Sequence, residues 1–126
     1  MPYLPGEEIS VDCLQTRIGL LMLPCVKDAT RVERLTFRSD ILEKTQEIYD
    51  TVKLEWPCNI RFKYLDGEPW FLEVNTRMSG GVPMACAAAG VNLPGIAVHK
   101  LLGMEMDWTV CREEKYVTHV EMPVIL

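Results

Sequence analysis

Cys58-Asn59-Ile60-Arg61-Phe62-Lys63-Tyr64-Leu65-Asp66-Gly67-Glu68-Pro69-Trp70-Phe71-Leu72-Glu73-Val74-Asn75-Thr76-Arg77 decides the fold, because it reads as two strands folded about a turn at Asp66-Gly67. Polarity sets the expected register. A two-residue loop pairs Leu65 with Glu68 and puts Arg61 on the face of Leu72, which mixes charge into an apolar layer. A three-residue loop with Gly67 at a bulge position pairs Tyr64 with Glu68 and sorts the faces. Ile60, Phe62 and Tyr64 then join Trp70, Leu72 and Val74 on one side, and Arg61, Lys63, Phe71, Glu73 and Asn75 share the other. Residues two apart on a strand point the same way, so Glu73 and Asn75 present a carboxylate and an amide together, both hard oxygen donors of the kind magnesium accepts. Arg77 continues that face.

Working outward, Glu8 to Leu14 alternates Ile9, Val11 and Cys13 with Ser10 and Asp12, and Arg17 to Val26 returns as a mostly apolar run, which predicts a hairpin. Lys27 to Arg34 is a charged stretch without periodicity and reads as a polar connection into a short strand, Val32 to Phe37. A helix is expected from Ser39 or Asp40, whose side-chain oxygens can cap its first amides. It places Ile41, Leu42, Thr45, Ile48, Tyr49 and Val52 on one face and ends at Trp56-Pro57. After the hairpin and the Ser79-Gly80-Gly81 loop, two short helices are expected at about Pro83 to Ala89 and Pro94 to Leu102, broken at Gly90. Alternation in Tyr116, Thr118, Val120 and Met122 predicts a last strand within Lys115 to Leu126.

One hundred and twenty-six residues suit a single domain, 1–126, and 48% hydrophobic residues exclude disorder. The longest wholly apolar stretches, such as Gly19 to Leu23, fall short of the roughly 18 residues that cross a bilayer, and no signal peptide is visible. No membrane partner is expected. Thirteen basic against eighteen acidic side chains, a net charge of −5, argue against sequence-independent nucleic-acid binding. The five cysteines, Cys13, Cys25, Cys58, Cys86 and Cys111, form no CxxC pair and read as small buried apolar residues of a cytoplasmic protein. His99 and His119 stand alone and read as structural or exposed.

Glu73-Val74-Asn75-Thr76-Arg77, preceded by Asn59-Ile60-Arg61-Phe62 and the Asp66-Gly67 turn, and followed by Ser79-Gly80-Gly81-Val82-Pro83 and Gly90-Val91-Asn92-Leu93-Pro94, resembles the ATP-grasp superfamily. Within it the likeness is to the carbamoyl-phosphate synthetase large chain and biotin carboxylase. Tyr3-Leu4-Pro5-Gly6-Glu7-Glu8-Ile9-Ser10-Val11-Asp12 is similar to the segment after the family's adenine-binding hinge. The resemblance spans Pro2 to about Met104.

That resemblance implies an α+β lobe, an antiparallel sheet with helices packed on it, corresponding to the C-terminal lobe of an ATP-grasp fold without its N-terminal lobe. It implies a site where a small carboxylate attacks the γ-phosphate of ATP and a nucleophile takes the acyl phosphate, with magnesium, or manganese in its place, bridging the phosphates. Glu73 and Asn75 match the metal ligands, and Arg77 matches the arginine on phosphate or the reacting carboxylate. Leu72 sits either against the adenine or in plain core. Lys27, Arg31 and Arg34 fall where the family has a phosphate or substrate loop, or form a solvated loop. Arg61 stands where the family carries a glutamate or glutamine ligand. It has donors and no acceptor, so it pairs with Glu73 or replaces the charge of one metal. The chain is expected to self-associate or to pair with the missing lobe. Two functions are consistent with these features: part of an ATP-dependent carboxylate ligase, or a non-catalytic binding and assembly domain.

Overall fold

The computed structural model describes residues 5–27 and 31–126; the expectations for Pro2 to Leu4 and for 28–30 of the charged connection lie outside the described residues. Nine elements follow in the order β1 (Glu8–Thr16), β2 (Gly19–Lys27), β3 (Val32–Leu35), α1 (Ser39–Val52), β4 (Cys58–Leu65), β5 (Glu68–Asn75), α2 (Val82–Ala89), α3 (Leu93–Leu101) and β6 (Lys115–Thr118). The strands form one antiparallel sheet ordered β5-β4-β1-β2-β3-β6, so the fold is α+β with helices on both faces.

Alternation along the strands creates two apolar layers. On one face Ile9, Val11, Cys13, Val26, Cys58, Ile60, Phe62 and Tyr64 pack against Ile41 and Tyr49 of α1. On the other, Leu14, Leu21, Leu23, Cys25 and Leu35 pack against Ala85, Ala88 and Ala89 of α2 and Leu93, Ile96 and Ala97 of α3. Small alanines let α2 lie close to the sheet. No single described helix is long and apolar enough to cross a membrane, and the apolar pair α2 and α3 is bent by 101°.

The first hairpin, the central hairpin and the two short helices occupy the expected stretches, while other expectations change. Arg38, not Ser39 or Asp40, is the N-cap of α1 and makes no side-chain capping bond; Asp40 lies within the first turn, where its Oδ1 accepts the amide of Ile41 at 2.9 Å. The helix stops before Trp56-Pro57, at Lys53, whose left-handed backbone (φ 48°) lets its amide reach the Tyr49 carbonyl at 2.7 Å. Val52 faces solvent, with 42% of its surface exposed. β6 ends at Thr118, because β3 offers it partners only from Val32 to Leu35; the rest of the predicted last strand has no ladder.

The central turn is the main correction. Leu65 pairs with Glu68, so the loop has two residues, and both Asp66 (φ 53°) and Gly67 (φ 82°) have the positive φ of a type I′ turn. The mixing of faces that this register threatened is removed farther along by a bulge. Phe62 pairs with Phe71 and Arg61 with Glu73, leaving Leu72 as the extra residue. Beyond the bulge Arg61 shares a face with Glu73, as expected. Before it the expected assignment fails: Phe71 falls beside Phe62, with ring centroids 6.5 Å apart, and Trp70 lies opposite Lys63.

Because only glycine adopts the second turn position without strain, Gly67→Ala is expected to lower stability by about 1 kcal/mol. Asp66→Asn, which keeps a residue tolerant of left-handed backbone, should be nearly neutral. Urea denaturation followed by circular dichroism checks both.

Candidate functional site

Two polar rows cross the β1, β4 and β5 half of the sheet on the face opposite α1. Register places Asp12, Asn59 and Asn75 in one row, and Ser10, Arg61 and Glu73 in the next. The apolar residues between them, Val11, Ile60 and Val74, belong to the α1 layer.

Glu73 and Asn75 are brought together as the sequence suggested. Asn75 Nδ2 donates to Glu73 Oε1 at 3.1 Å, and Arg61 Nη1 donates to the same oxygen at 2.6 Å. Arg61 also donates through Nε to Glu8 Oε1 at 3.0 Å, and its Nη2 reaches that oxygen too. The hydrogen bond from Asn75, then Arg61, holds the Glu73 carboxyl below its ordinary range, with a further contribution from Arg77. Its two carboxylate partners, Glu8 first, raise the Arg61 guanidinium above its usual value. Glu8 is a partner that the sequence reading missed.

Arg77 lies just past β5, exposed, with Nη1 donating to the Met78 carbonyl at 3.0 Å. Leu72, the bulge residue, is half-buried and is in neither apolar layer. Lys27 ends β2 opposite Glu8 and lines a groove of about 460 Å³ with Gly6, Glu8, Arg34, Lys63 and Tyr116. Arg34 is tied to Glu7 at 2.6 Å and Glu114 at 3.3 Å. Arg31 is exposed, its carbonyl taking the Thr118 hydroxyl at 2.9 Å, and no contact joins it to Glu73. A separate cavity of about 300 Å³ among Val91, Asn92, His99, Met106 and Trp108 contains none of the predicted site residues.

The sequence reading also missed Asp12. It is 2% exposed, and its carboxylate is met by neutral donors: the Ser79 amide at 2.7 Å, the Ser79 hydroxyl at 2.6 Å and Asn59 Nδ2 at 3.2 Å. Asn59 Nδ2 also donates to Ser10 Oγ at 2.7 Å. These bonds pin the Ser79-Gly80-Gly81 loop over β1 and so position both Arg77 before it and α2 after it. The loop then runs against β3, where a Cβ on Gly81 would lie 2.5 Å from Glu33 Oε1. In the sequence Asp12 reads only as one of the polar positions of an alternating strand, which gives no signal for this clamp.

Among the described residues no group of three or more His, Cys, Asp or Glu side chains could hold a metal. Glu73 Oε2 and Asn75 Oδ1 remain as neighbouring oxygens without hydrogen bonds among the described residues. That donor set suits magnesium, which keeps several waters and is bound through one or two carboxylates plus substrate phosphates rather than by an all-protein cage.

An antiparallel sheet backed by helices, with a Glu-x-Asn-x-Arg strand end facing a polar row, defines the ATP-grasp class of fold. The family model described as "ATP-grasp in the biosynthetic pathway with Ter operon" matches residues 1–123, and the chain belongs to that family. It is 26% identical over 119 residues to the carbamoyl phosphate synthase large chain of Clostridium beijerinckii, covering 82% of this chain and 11% of that protein. The corresponding protein of Clostridium perfringens is 25% identical over 141 residues, covering 97% of this chain and 13% of its own length. The chain therefore spans only about an eighth or less of these relatives. Among solved structures, the biotin carboxylase domain of Hydrogenobacter thermophilus 2-oxoglutarate carboxylase, in complex with MgADP, ADP and bicarbonate, superposes with a TM-score of 0.67 at 15% identity. That match covers 85% of this chain and 27% of the other. The biotin carboxylase subunit of a pyruvate carboxylase gives 0.65 at 13% identity, with coverage of 85% and 27%.

Asp12→Ala strands the Ser79 amide, the Ser79 hydroxyl and one of the two Asn59 Nδ2 N–H groups without an acceptor, so it is expected to cost about 3 kcal/mol or more. Limited proteolysis should then cut near Ser79-Gly80-Gly81 before the rest of the chain unfolds. Equal resistance of that loop in the variant and the parent would refute the clamp.

Proposed function

We propose that this chain contributes the magnesium and phosphate half of a site at which ATP and a small carboxylate form an acyl phosphate, within an ATP-dependent ligase of ATP-grasp type. The observation that carries the proposal is the convergence of Glu73, Asn75 and Arg61 on one sheet face, with Arg77 following immediately. Glu73 Oε2 and Asn75 Oδ1 would hold the magnesium ion, which on binding neutralises phosphate charge. Manganese has the same preference for oxygen ligands and would serve in its place. Arg77 offers a planar fork of donors to a phosphate or to the reacting carboxylate. Among the described residues its side chain donates only to a neighbouring carbonyl, so further N–H groups would be available to a substrate. Leu72, half-buried outside both apolar layers, would pack against the adenine, and Lys27 would supply a cation at the groove. Arg31 would serve the phosphates from the exposed start of β3. On this reading the nucleotide's remaining contacts come from a second lobe, and the protein works in the cytoplasm on soluble substrates.

A second reading, a non-catalytic binding or assembly domain, is supported by the hold of Arg61 on Glu73 and by the exposed edge strand β5. Trp70 and Phe71 on that strand are 54% and 50% exposed.

On the ligase reading, the 126-residue chain alone shows no ATP-dependent ligase activity and binds Mg-ATP far more weakly than micromolar. Several charge-assisted contacts of about 1.5 to 3 kcal/mol each would be missing. Calorimetry decides, and a micromolar constant would refute the division of the site between two lobes.

An open edge strand carrying aromatic residues is a template for pairing, so the chain is also expected to self-associate at high concentration. Sedimentation equilibrium checks this. A strict monomer would show that the edge is already protected.

A further inference from the structure

Among the described residues Arg61 is the cation that pairs with Glu73, and its geometry differs from that of an ordinary surface ion pair. Its side chain is 35% exposed, against 26% for Glu8 and 47% for Glu73, so the three charges sit partly out of water on adjoining strands. The in-register pairing of Arg61 with Glu73 fixes their separation through the backbone ladder. Three of the five guanidinium N–H groups are used, by Nε, Nη1 and Nη2, leaving one on each terminal nitrogen. Both N–H bonds on Glu73, from Arg61 and from Asn75, fall on Oε1, so Oε2 is left to one cation.

We propose that Arg61 is a fixed cation of the phosphate site: one divalent ion binds between Glu73 Oε2 and Asn75 Oδ1, and the guanidinium, with its two remaining N–H groups, takes the phosphate charge that a second ion would otherwise neutralise. The inference rests on the reading of Glu73 and Asn75 as metal ligands. Charge accounting supports it. Glu8, Glu73 and Arg61 sum to −1; one divalent ion makes the cluster +1, a favourable sign for a polyphosphate. A second ion beside the guanidinium would make it +3 and place like charges at contact distance, where repulsion is strong in a partly dehydrated site. Arginine also binds phosphate through paired N–H donors without giving up its salt bridge to Glu8.

Two probes separate this role from a structural ion pair. The first is Mn2+ alone, followed by paramagnetic broadening of the amide signals of residues 59–61 and 73–75. The second is inorganic tripolyphosphate in the presence of saturating Mg2+, followed by phosphorus line broadening, which reaches millimolar affinities. Arg61→Gln should bind Mn2+ about tenfold more tightly, because a repelling charge is replaced by an oxygen donor. It should also lose about tenfold in tripolyphosphate affinity. Arg61→Lys, which keeps the charge, should stay near the parent in Mn2+ affinity. A gain in Mn2+ affinity without loss of tripolyphosphate binding would make Arg61 a structural partner of Glu73 and overturn the proposal, as would a parent chain that does not bind tripolyphosphate. Failure of the underlying reading has a different signature: Glu73→Gln and Asn75→Ala would leave the Mn2+ broadening of the parent unchanged.

Discussion

A carboxylate buried at the centre of a sheet must be met by donors, and Asp12 draws two of its three from Ser79, 67 residues later in the chain. Among the described residues its partners are an amide, a hydroxyl and a carboxamide, with no cation. Burying an ion this way carries a desolvation cost comparable to what the bonds return, so its value lies in specificity more than in net stability. An apolar residue at position 12 would fill the space and leave the loop free to slide over β1. The aspartate accepts the loop in one position only. From that position follow the exit direction of β5, where Arg77 sits, and the start of α2, whose alanines close the layer over Leu23, Cys25 and Leu35.

The same face of the sheet is thus divided lengthwise. Under α2 and α3 it is apolar, and Cys25 there has its thiol pushed up to about 12, first by burial and then by Glu33 and Asp12. Toward β4 and β5 it is polar, because no helix covers that half. A charged row is stable there only while it stays partly hydrated and internally paired, which is how Glu8, Arg61 and Glu73 are arranged. The opposite face has no such division. There, Tyr49 of α1 donates to the Leu54 carbonyl and Tyr64 of β4 donates to Asp40 Oδ2 at 2.7 Å, while the buried Thr45 hydroxyl has no partner among the described residues.

Elements with strong alternation or clear capping and breaking residues were legible from sequence: the two hairpins, α1, and the pair α2 and α3 divided at Gly90. The central register was legible only in its far half. Polarity demanded that Arg61 share a face with Glu73, and it does, but a two-residue turn followed by a bulge at Leu72 achieves this in place of a three-residue turn. A bulge at the turn and a bulge at Leu72 give the same pairing beyond Leu72, so pattern alone cannot say which of the two positions holds the extra residue. The last strand was overextended for a different reason, since alternation marks a segment able to pair and says nothing about whether a partner is long enough. The motif Glu73-Val74-Asn75-Thr76-Arg77 pointed to the candidate site because its spacing is local. Asp12 and Glu8 were not legible as members, because alternation assigns Ser10 and Asp12 to a solvent side, and only a loop distant in sequence turns that side into an interior.

Charge makes the last connection between fold and chemistry. A chain of net charge −5 repels a polyphosphate at long range, so binding one requires local reversal of sign. Near the site, Arg34 is already neutralised by Glu7 and Glu114, and Arg38 by Asp40, while Lys27 and Lys63 line the neighbouring groove. Arg61 is balanced by two carboxylates and Arg77 stands exposed. On the proposed reading the divalent ion supplies the local positive charge at Glu73 and Asn75. Before it binds, the Glu8, Arg61 and Glu73 cluster is net negative and pairs internally. Once it sits between Glu73 and Asn75, the same cluster becomes net positive, and Arg61 faces phosphate without having to leave Glu8. A glutamine at position 61 would hold the ion more firmly yet leave the cluster more dependent on it, so the arginine gives up metal affinity for a positive charge that cannot dissociate.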